Sequence, residues 1–91
     1  MESQEFPALP RGVRLHYDRI REIWVLLAPE RAVTLDAVGH AILSEVDGKR
    51  SFGEITQKLA AKINAPVDQI IQDCTGFLGA LRARRFLDVS P

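Results

Sequence analysis

The side chains best able to do chemistry in this 91-residue chain are those of two histidines and one cysteine: His16, His40 and Cys74. Histidine and cysteine are ligands for transition metals, and a cysteine thiolate can act as a nucleophile. Metal sites built from these residue types usually place two ligands within a few positions of each other. These three residues lie far apart in the sequence, so their spacing predicts no metal site.

The sequence also shows no arrangement of side chains that is typical of a catalytic site. Cys74 lies in an apolar stretch between Ile70 and Phe77, and burial among apolar groups makes a thiol unreactive. Asp68 and Asp73 would point in different directions on a helix, so they do not form a converging acid–base pair. No glycine-rich phosphate loop is present. The sequence therefore predicts a binding protein with no cofactor of its own, and not an enzyme.

The composition excludes several further classes. The chain has 12 basic and 12 acidic residues and a formal net charge of zero, whereas nucleic-acid binders normally carry a basic excess. Its longest strictly apolar run, residues 23–29, is shorter than the ~20 residues of a membrane helix. The N-terminus lacks the pattern of a secretory signal. A single cysteine forms no internal disulfide, which favours a reducing compartment. We therefore expect a cytoplasmic protein that binds neither membrane nor nucleic acid.

Three stretches of the first half have the patterns of β-strands. Residues 13–17 alternate between apolar and polar, as in a strand with one buried face. The stretch from Glu22 to Ala28 is nearly all apolar and predicts a central strand. Arg31 to Leu35 alternates again and predicts a short third strand. Residues 1–10 contain two prolines and no periodicity, which predicts a flexible N-terminal arm.

After Leu35 the spacing of apolar residues becomes helical. The expected helices run from a cap at Thr34 or Asp36 through Glu45, from a capping box at Ser51 and Glu54 to Ile63, and from Val67 to Arg84. A short tail at Phe86, Leu87 and Val89 is expected to pack back. This order predicts an α+β fold, with an N-terminal three-stranded antiparallel sheet followed by a three-helix bundle. The break between the second and third helices is compatible with a winged-helix-like domain.

Two binding functions are compatible with this layout. In a DNA-binding helix-turn-helix the third helix would read bases with its first residues, but here Asp68 and Asp73 would repel phosphate. Alternatively, an exposed edge at Arg31 to Leu35 could pair with an extended peptide. Asp73, Phe77 and Leu81 of the third helix would then form the wall of the peptide site. From the residues alone, that edge could equally be solvated or covered by the arm.

The sequence also resembles a known family over nearly its whole length after Pro7. The resemblance is carried by RGVRLHYD at 11–18 and WVLLAPERA at 24–32, and continues through Asp47-Gly48, Ala65-Pro66 and the apolar positions of the third helix. These segments are similar to the PqqD family of pyrroloquinoline quinone (PQQ) biosynthesis. The resemblance implies one peptide-recognition domain over residues 11–91.

The resemblance further implies a peptide chaperone, known in its class as a RiPP recognition element. Such a protein binds the precursor peptide PqqA by strand addition and presents it to the radical S-adenosylmethionine enzyme PqqE, which holds the cofactors. The implied peptide-binding residues are Arg31, Ala32, Val33, Thr34, Leu35, Ile70, Asp73, Cys74, Phe77 and Leu81. Arg31 is a candidate partner for an acidic peptide residue. The ribbon of residues 11–28 could also pair two chains, so monomer and homodimer both remain open.

Overall fold

Five strands and three helices make up the chain in a computed structural model that describes all 91 residues. The strands are β1 (Phe6–Ala8), β2 (Arg14–Asp18), β3 (Ile23–Ala28), β4 (Arg31–Leu35) and β5 (Asp88–Ser90). The helices are α1 (Ala37–Leu43), α2 (Phe52–Ile63) and α3 (Val67–Ala83). The expected α+β class is confirmed.

The middle of the chain forms a three-stranded antiparallel sheet in the order β2-β3-β4. β3 is the central strand, as its apolar sequence predicts, and it buries Val25 and Leu26. Leu26 lies opposite Leu15 of β2 and Val33 of β4. The expectation of an N-terminal sheet is wrong in one respect, because β1 precedes these three strands and belongs to a different sheet.

The second sheet joins the two ends of the chain. β1 pairs antiparallel with β5, so that Pro7 lies opposite Val89. The backbone carbonyls of Glu5 and Ser3 accept hydrogen bonds from the N–H groups of Phe52 (2.7 Å) and Gly53 (2.8 Å). The first N–H groups of a helix lack acceptors within the helix. For α2, the N-terminal segment supplies these acceptors. Residues 1–10 thus contain a strand that the sequence pattern did not reveal.

Side chains cap the first turns of α1 and α2. The Asp36 carboxylate accepts a hydrogen bond from the Gly39 N–H at 2.7 Å and caps α1. The capping box at Ser51 and Glu54 is present at the start of α2, as predicted. α2 ends at Ile63, and the residue after it, Asn64, adopts a left-handed conformation with φ of 54°. None of the three helices has the length and apolar composition needed to cross a bilayer.

The core lies between one face of the three-stranded sheet and the helices. Its fully buried members include Leu26 from β3, Ile55 from α2 and Leu78 from α3. Phe86 and Leu87 are also buried, which confirms that the C-terminal tail packs back. Leu35 of β4 and Leu78 of α3 belong to this same core.

Candidate functional site

One edge of the three-stranded sheet is free. β4 pairs with β3 alone, and a two-residue turn makes Ala28 and Arg31 the closing pair. In an antiparallel ladder, residues that direct their N–H and C=O groups toward the partner strand alternate with residues that direct them away from it. By this alternation Ala32 and Thr34 direct their N–H and C=O groups away from β3. Neither residue makes a backbone hydrogen bond outside the ladder, so this edge offers unpaired main chain.

A cavity of about 420 Å³ lies beside the Leu35 end of that edge. We call it the groove cavity, and its lining residues are Thr34, Leu35, Asp36, Val38, Gly39, Ile42, Asp73 and Phe77. They come from β4, α1 and α3, so the cavity is built where the strand edge meets two helices. A side chain of a peptide lying along β4 could enter it.

Gly39 and Phe77 form the floor of the groove cavity together. A Cβ atom at Gly39 would lie 3.1 Å from Cζ of Phe77, closer than ordinary carbon contacts of about 3.5–4.0 Å. With glycine here, the ring packs close to the backbone of α1; a Cβ atom would require the ring, and the Asp36 carboxylate 3.3 Å away, to give by a few tenths of an ångström. This contact accounts for a glycine within a helix, where it is otherwise unfavourable.

A second cavity of about 320 Å³ opens between the three helices. We call it the three-helix cavity, and its lining residues are Ala37, Val38, Ala41, Ile42, Leu59, Ile63, Ile70, Asp73 and Cys74. It shares Val38, Ile42 and Asp73 with the groove cavity. The two cavities are therefore neighbours on one continuous surface.

The charged groups of this surface are carboxylates. The Asp36 side chain is held by the N–H of Gly39, and Asp73 accepts a hydrogen bond from the amide of Gln69 at 3.0 Å. Neither carboxylate forms an ion pair with a basic residue of the chain. Burial, with the adjacent charge of Asp73, raises the pKa of the Cys74 thiol to about 11. This thiol is thus protonated at neutral pH and is a poor nucleophile.

Arg31 fastens the start of β4 to the end of α3. Its Nη1 donates a hydrogen bond to the carbonyl of Arg84 at 2.9 Å, and its guanidinium lies 4.2 Å from the centre of the Phe86 ring. A cation placed over an aromatic face in this way is stabilising. The guanidinium expected to meet an acidic peptide residue is thus engaged within the chain.

The structure divides the expected site residues into groups. Those that line the groove cavity are Thr34, Leu35, Asp73 and Phe77. Ile70 and Cys74 line the three-helix cavity, beside Asp73. Arg31, Ala32 and Val33 lie on β4, and Leu81 is buried in the core and lines neither cavity.

The contribution of α1 was missed by the sequence reasoning. Asp36, Val38, Gly39 and Ile42 line the groove cavity, although none was expected in the site. The available signal was Gly39, because a glycine within a helix often marks a close approach by another group. The pattern gave no indication that the approaching group is Phe77.

The remaining reactive side chains lie elsewhere. The imidazole of His40 stacks on the indole of Trp24 with ring centres 4.1 Å apart and contacts the Ser44 hydroxyl. His16 is on β2, at the far side of the sheet. No three histidine, cysteine or carboxylate side chains come together as metal ligands.

Comparisons with known sequences give a consistent result. The family described as coenzyme PQQ synthesis protein D (PqqD) matches residues 24–87. The PqqA binding protein of Xanthomonas oryzae pv. oryzae (strain PXO99A) is 46% identical over 81 residues, which cover 89% of this chain and 88% of that protein. The PqqA binding protein of Rhizobium meliloti (strain 1021) is 44% identical over 81 residues, covering 89% and 83%.

Two solved structures are similar to this one. The solution structure of the PqqD truncation of Methylobacterium extorquens PqqCD, described as a functional and stand-alone RiPP recognition element, has a TM-score of 0.77 and 40% identity over 97% of this chain and 99% of that chain. The crystal structure of PqqD from Xanthomonas campestris has a TM-score of 0.62 and 42% identity over 89% and 90%. On the family match and these relatives, the chain belongs to the PqqD family.

Proposed function

We propose that this protein binds the precursor peptide PqqA in PQQ biosynthesis and acts as its chaperone. The observation that carries the proposal is the unpaired edge of β4 beside the groove cavity. The names of the relatives support it, since a protein 46% identical to this chain is a PqqA binding protein. The M. extorquens relative is a RiPP recognition element, and we assign this chain the same role.

The proposed mode of binding is strand addition to β4. An extended peptide pairs its main chain with Ala32 and Thr34, and these backbone hydrogen bonds supply affinity without reading the peptide sequence. Side chains of a strand alternate between two faces. Every second peptide side chain would therefore face α3 and Phe77. The groove cavity sets the register, because it accepts one of these side chains at the Leu35 end.

The peptide is then presented to PqqE, which supplies the chemistry, the iron–sulfur clusters and the S-adenosylmethionine. The proposed role assigns no catalysis to this chain, in keeping with a Cys74 thiol that is protonated and therefore a poor nucleophile. We place this role in the cytoplasm, where a single buried thiol remains reduced. The protein acts as a monomer or as a homodimer paired through the ribbon of residues 11–28.

The alternative is a winged-helix-like DNA-binding or other interaction module. α2, the break at residues 64–66 and α3 have the order of a helix-turn-helix. The exposed residues at the start of α3 include Asp68 and Gln69, and a carboxylate there opposes phosphate. DNA binding would retard duplex DNA at low salt and weaken steeply as salt rises. We expect no retardation.

The test of the proposal is calorimetric titration of synthetic PqqA into the wild-type protein and into Phe77→Ala. Loss of a buried aromatic side chain at a binding hot spot costs about 2 kcal/mol, or roughly thirtyfold in affinity. Ile71→Ala is the matched control, because Ile71 is a partly exposed apolar residue of α3 that lines neither the groove cavity nor the three-helix cavity. Circular dichroism checks that both variants fold. No heat of binding to the wild type would refute the proposal.

A further inference from the structure

The three-helix cavity has features that strand addition does not use. Eight of its nine lining residues are hydrophobic. Two of them, Val38 on α1 and Ile63 on α2, are 62% and 57% exposed. Large apolar side chains left in water around an apolar cavity mark a place where another apolar group can be buried.

Asp73 lies where the two cavities meet. Asp73 lines both of them, and its carboxylate accepts a hydrogen bond from the Gln69 amide at 3.0 Å. It forms no ion pair with any basic residue of the chain, whereas the buried carboxylate of Glu45 has Lys58 at 3.0 Å and Arg50 as partners. A cationic side chain of a bound molecule is the complementary partner for Asp73.

We infer that the three-helix cavity is a second anchoring site for the same precursor peptide. It takes an aliphatic or aromatic side chain from the segment next to the strand-paired stretch, and a lysine or arginine of that segment lies against Asp73. The inference rests on the proposed function, because it places the rest of the peptide on β4. The peptide thereby gains an apolar contact and a charge contact beyond the backbone pairing.

Continuity of the surface supports the same peptide as the occupant. A chain that leaves the β4 edge at Leu35 meets the groove cavity first, and the shared wall of Val38, Ile42 and Asp73 leads directly into the three-helix cavity. The combination of an apolar anchor and an adjacent positive charge would fix peptide register more strictly than backbone pairing does.

The first experiment follows the methyl groups of Ile63 and Ile71 by NMR during titration with synthetic PqqA. Both are exposed isoleucines, but Ile63 lines the three-helix cavity and Ile71 does not. We expect the Ile63 methyl signals to shift to saturation while those of Ile71 stay in place. Shifted amides of Ala32 and Thr34 with unmoved Ile63 methyls would overturn the second anchor and leave strand addition standing. No shift at any of these positions would overturn both.

The second experiment compares Asp73→Asn with Asp68→Asn, which removes the same charge from the same helix away from both cavities. An exposed ion pair is worth up to about 1 kcal/mol, which is up to about fivefold in affinity. We expect the affinity of Asp73→Asn for PqqA to fall by this factor at low salt and by a smaller factor at high salt. Asp68→Asn should bind PqqA like the wild type. Single lysine or arginine residues of PqqA are then replaced by glutamine. One of these replacements should weaken binding to the wild-type protein and cause no further loss of affinity for Asp73→Asn. Equal affinity of the two variants at low salt would overturn the charge contact.

Discussion

Replacing Gly39 with alanine should strain the contact between α1 and α3. The new methyl carbon would lie 3.1 Å from Cζ and 3.2 Å from Cε1 of Phe77, so the ring must move by a few tenths of an ångström. Overfilling a packed site in this way costs about 1–3 kcal/mol. Alanine recovers up to about 1 kcal/mol of helix propensity. We expect a net change in the free energy of unfolding between roughly zero and 2 kcal/mol of destabilisation.

Gly76 provides the matched control for this prediction. It lies within α3, and a Cβ there would meet nothing within 4 Å. Gly76→Ala should therefore stabilise the protein by up to about 1 kcal/mol. Urea denaturation followed by the fluorescence of Trp24, the only tryptophan, measures both variants. Gly39→Ala should be less stable than Gly76→Ala by about 1–3 kcal/mol.

The same substitution should weaken peptide binding. A displaced Phe77 ring reduces the space of the groove cavity, so Gly39→Ala should lose affinity for PqqA by several-fold, while Gly76→Ala keeps it. A Gly39→Ala protein as stable as Gly76→Ala would refute the reasoning, because the ring would then not be in contact with the backbone of α1. Unchanged affinity in both would remove the floor of the groove cavity from the peptide site.

Two further predictions concern stability away from the groove. Glu45 is buried, and although burial raises its pKa, hydrogen bonds from Lys58 and Arg50 outweigh this and hold the pKa below its ordinary 4.5. Glu45→Gln should therefore lower the free energy of unfolding by about 2 kcal/mol above pH 4.5, and the difference from wild type should shrink in acid titrations below that pH; a pH-independent difference would contradict this. Gly53→Ala should loosen the N-terminal segment, since its Cβ would lie 3.1 Å from the Ser3 carbonyl oxygen and push it back by a few tenths of an ångström; unchanged protease resistance of residues 1–10 would contradict this.

Much of the fold could be predicted because local signals agree with the final structure. The apolar run of β3 marks the central strand, and the capping box at Ser51 fixes the start of α2. The turn between β2 and β3 carries no Asn-Gly signal. It is stabilised by the Asp18 carboxylate, which accepts hydrogen bonds from the N–H groups of Ile20 and Arg21. A single aspartate is too common in turns to predict such a bond pattern alone.

The pairing of β1 with β5 could not be predicted, because it joins residues at opposite ends of the chain. Three-residue strands have too few positions for a pattern of alternation, and Pro7 argues against a strand. Proline is tolerated there because β1 is an edge strand in a two-stranded sheet. The pair forms because the N–H groups of Phe52 and Gly53 donate hydrogen bonds to the carbonyls of Glu5 and Ser3. These bonds place the N-terminal segment beside the C-terminus.

The candidate site was predicted in part for a similar reason. The edge position of β4 follows from the order of the strands, and α3 follows from its apolar stripe. The role of α1 depends on a tertiary contact between Gly39 and Phe77, which no local pattern encodes. Arg31 shows the same limit, since its exposed position on β4 gives no indication of its contacts with Arg84 and Phe86.

Amide hydrogen exchange at the free edge of β4 tests the central claim most directly. Ala32 and Thr34 point their N–H groups away from β3, whereas the N–H of Val33 is paired with β3 in the free and in the peptide-bound protein. With saturating PqqA, exchange at Ala32 and Thr34 should slow by about tenfold or more, since each amide gains a partner. Strand addition would be contradicted if these two amides exchanged as fast with PqqA bound as they do in the free protein.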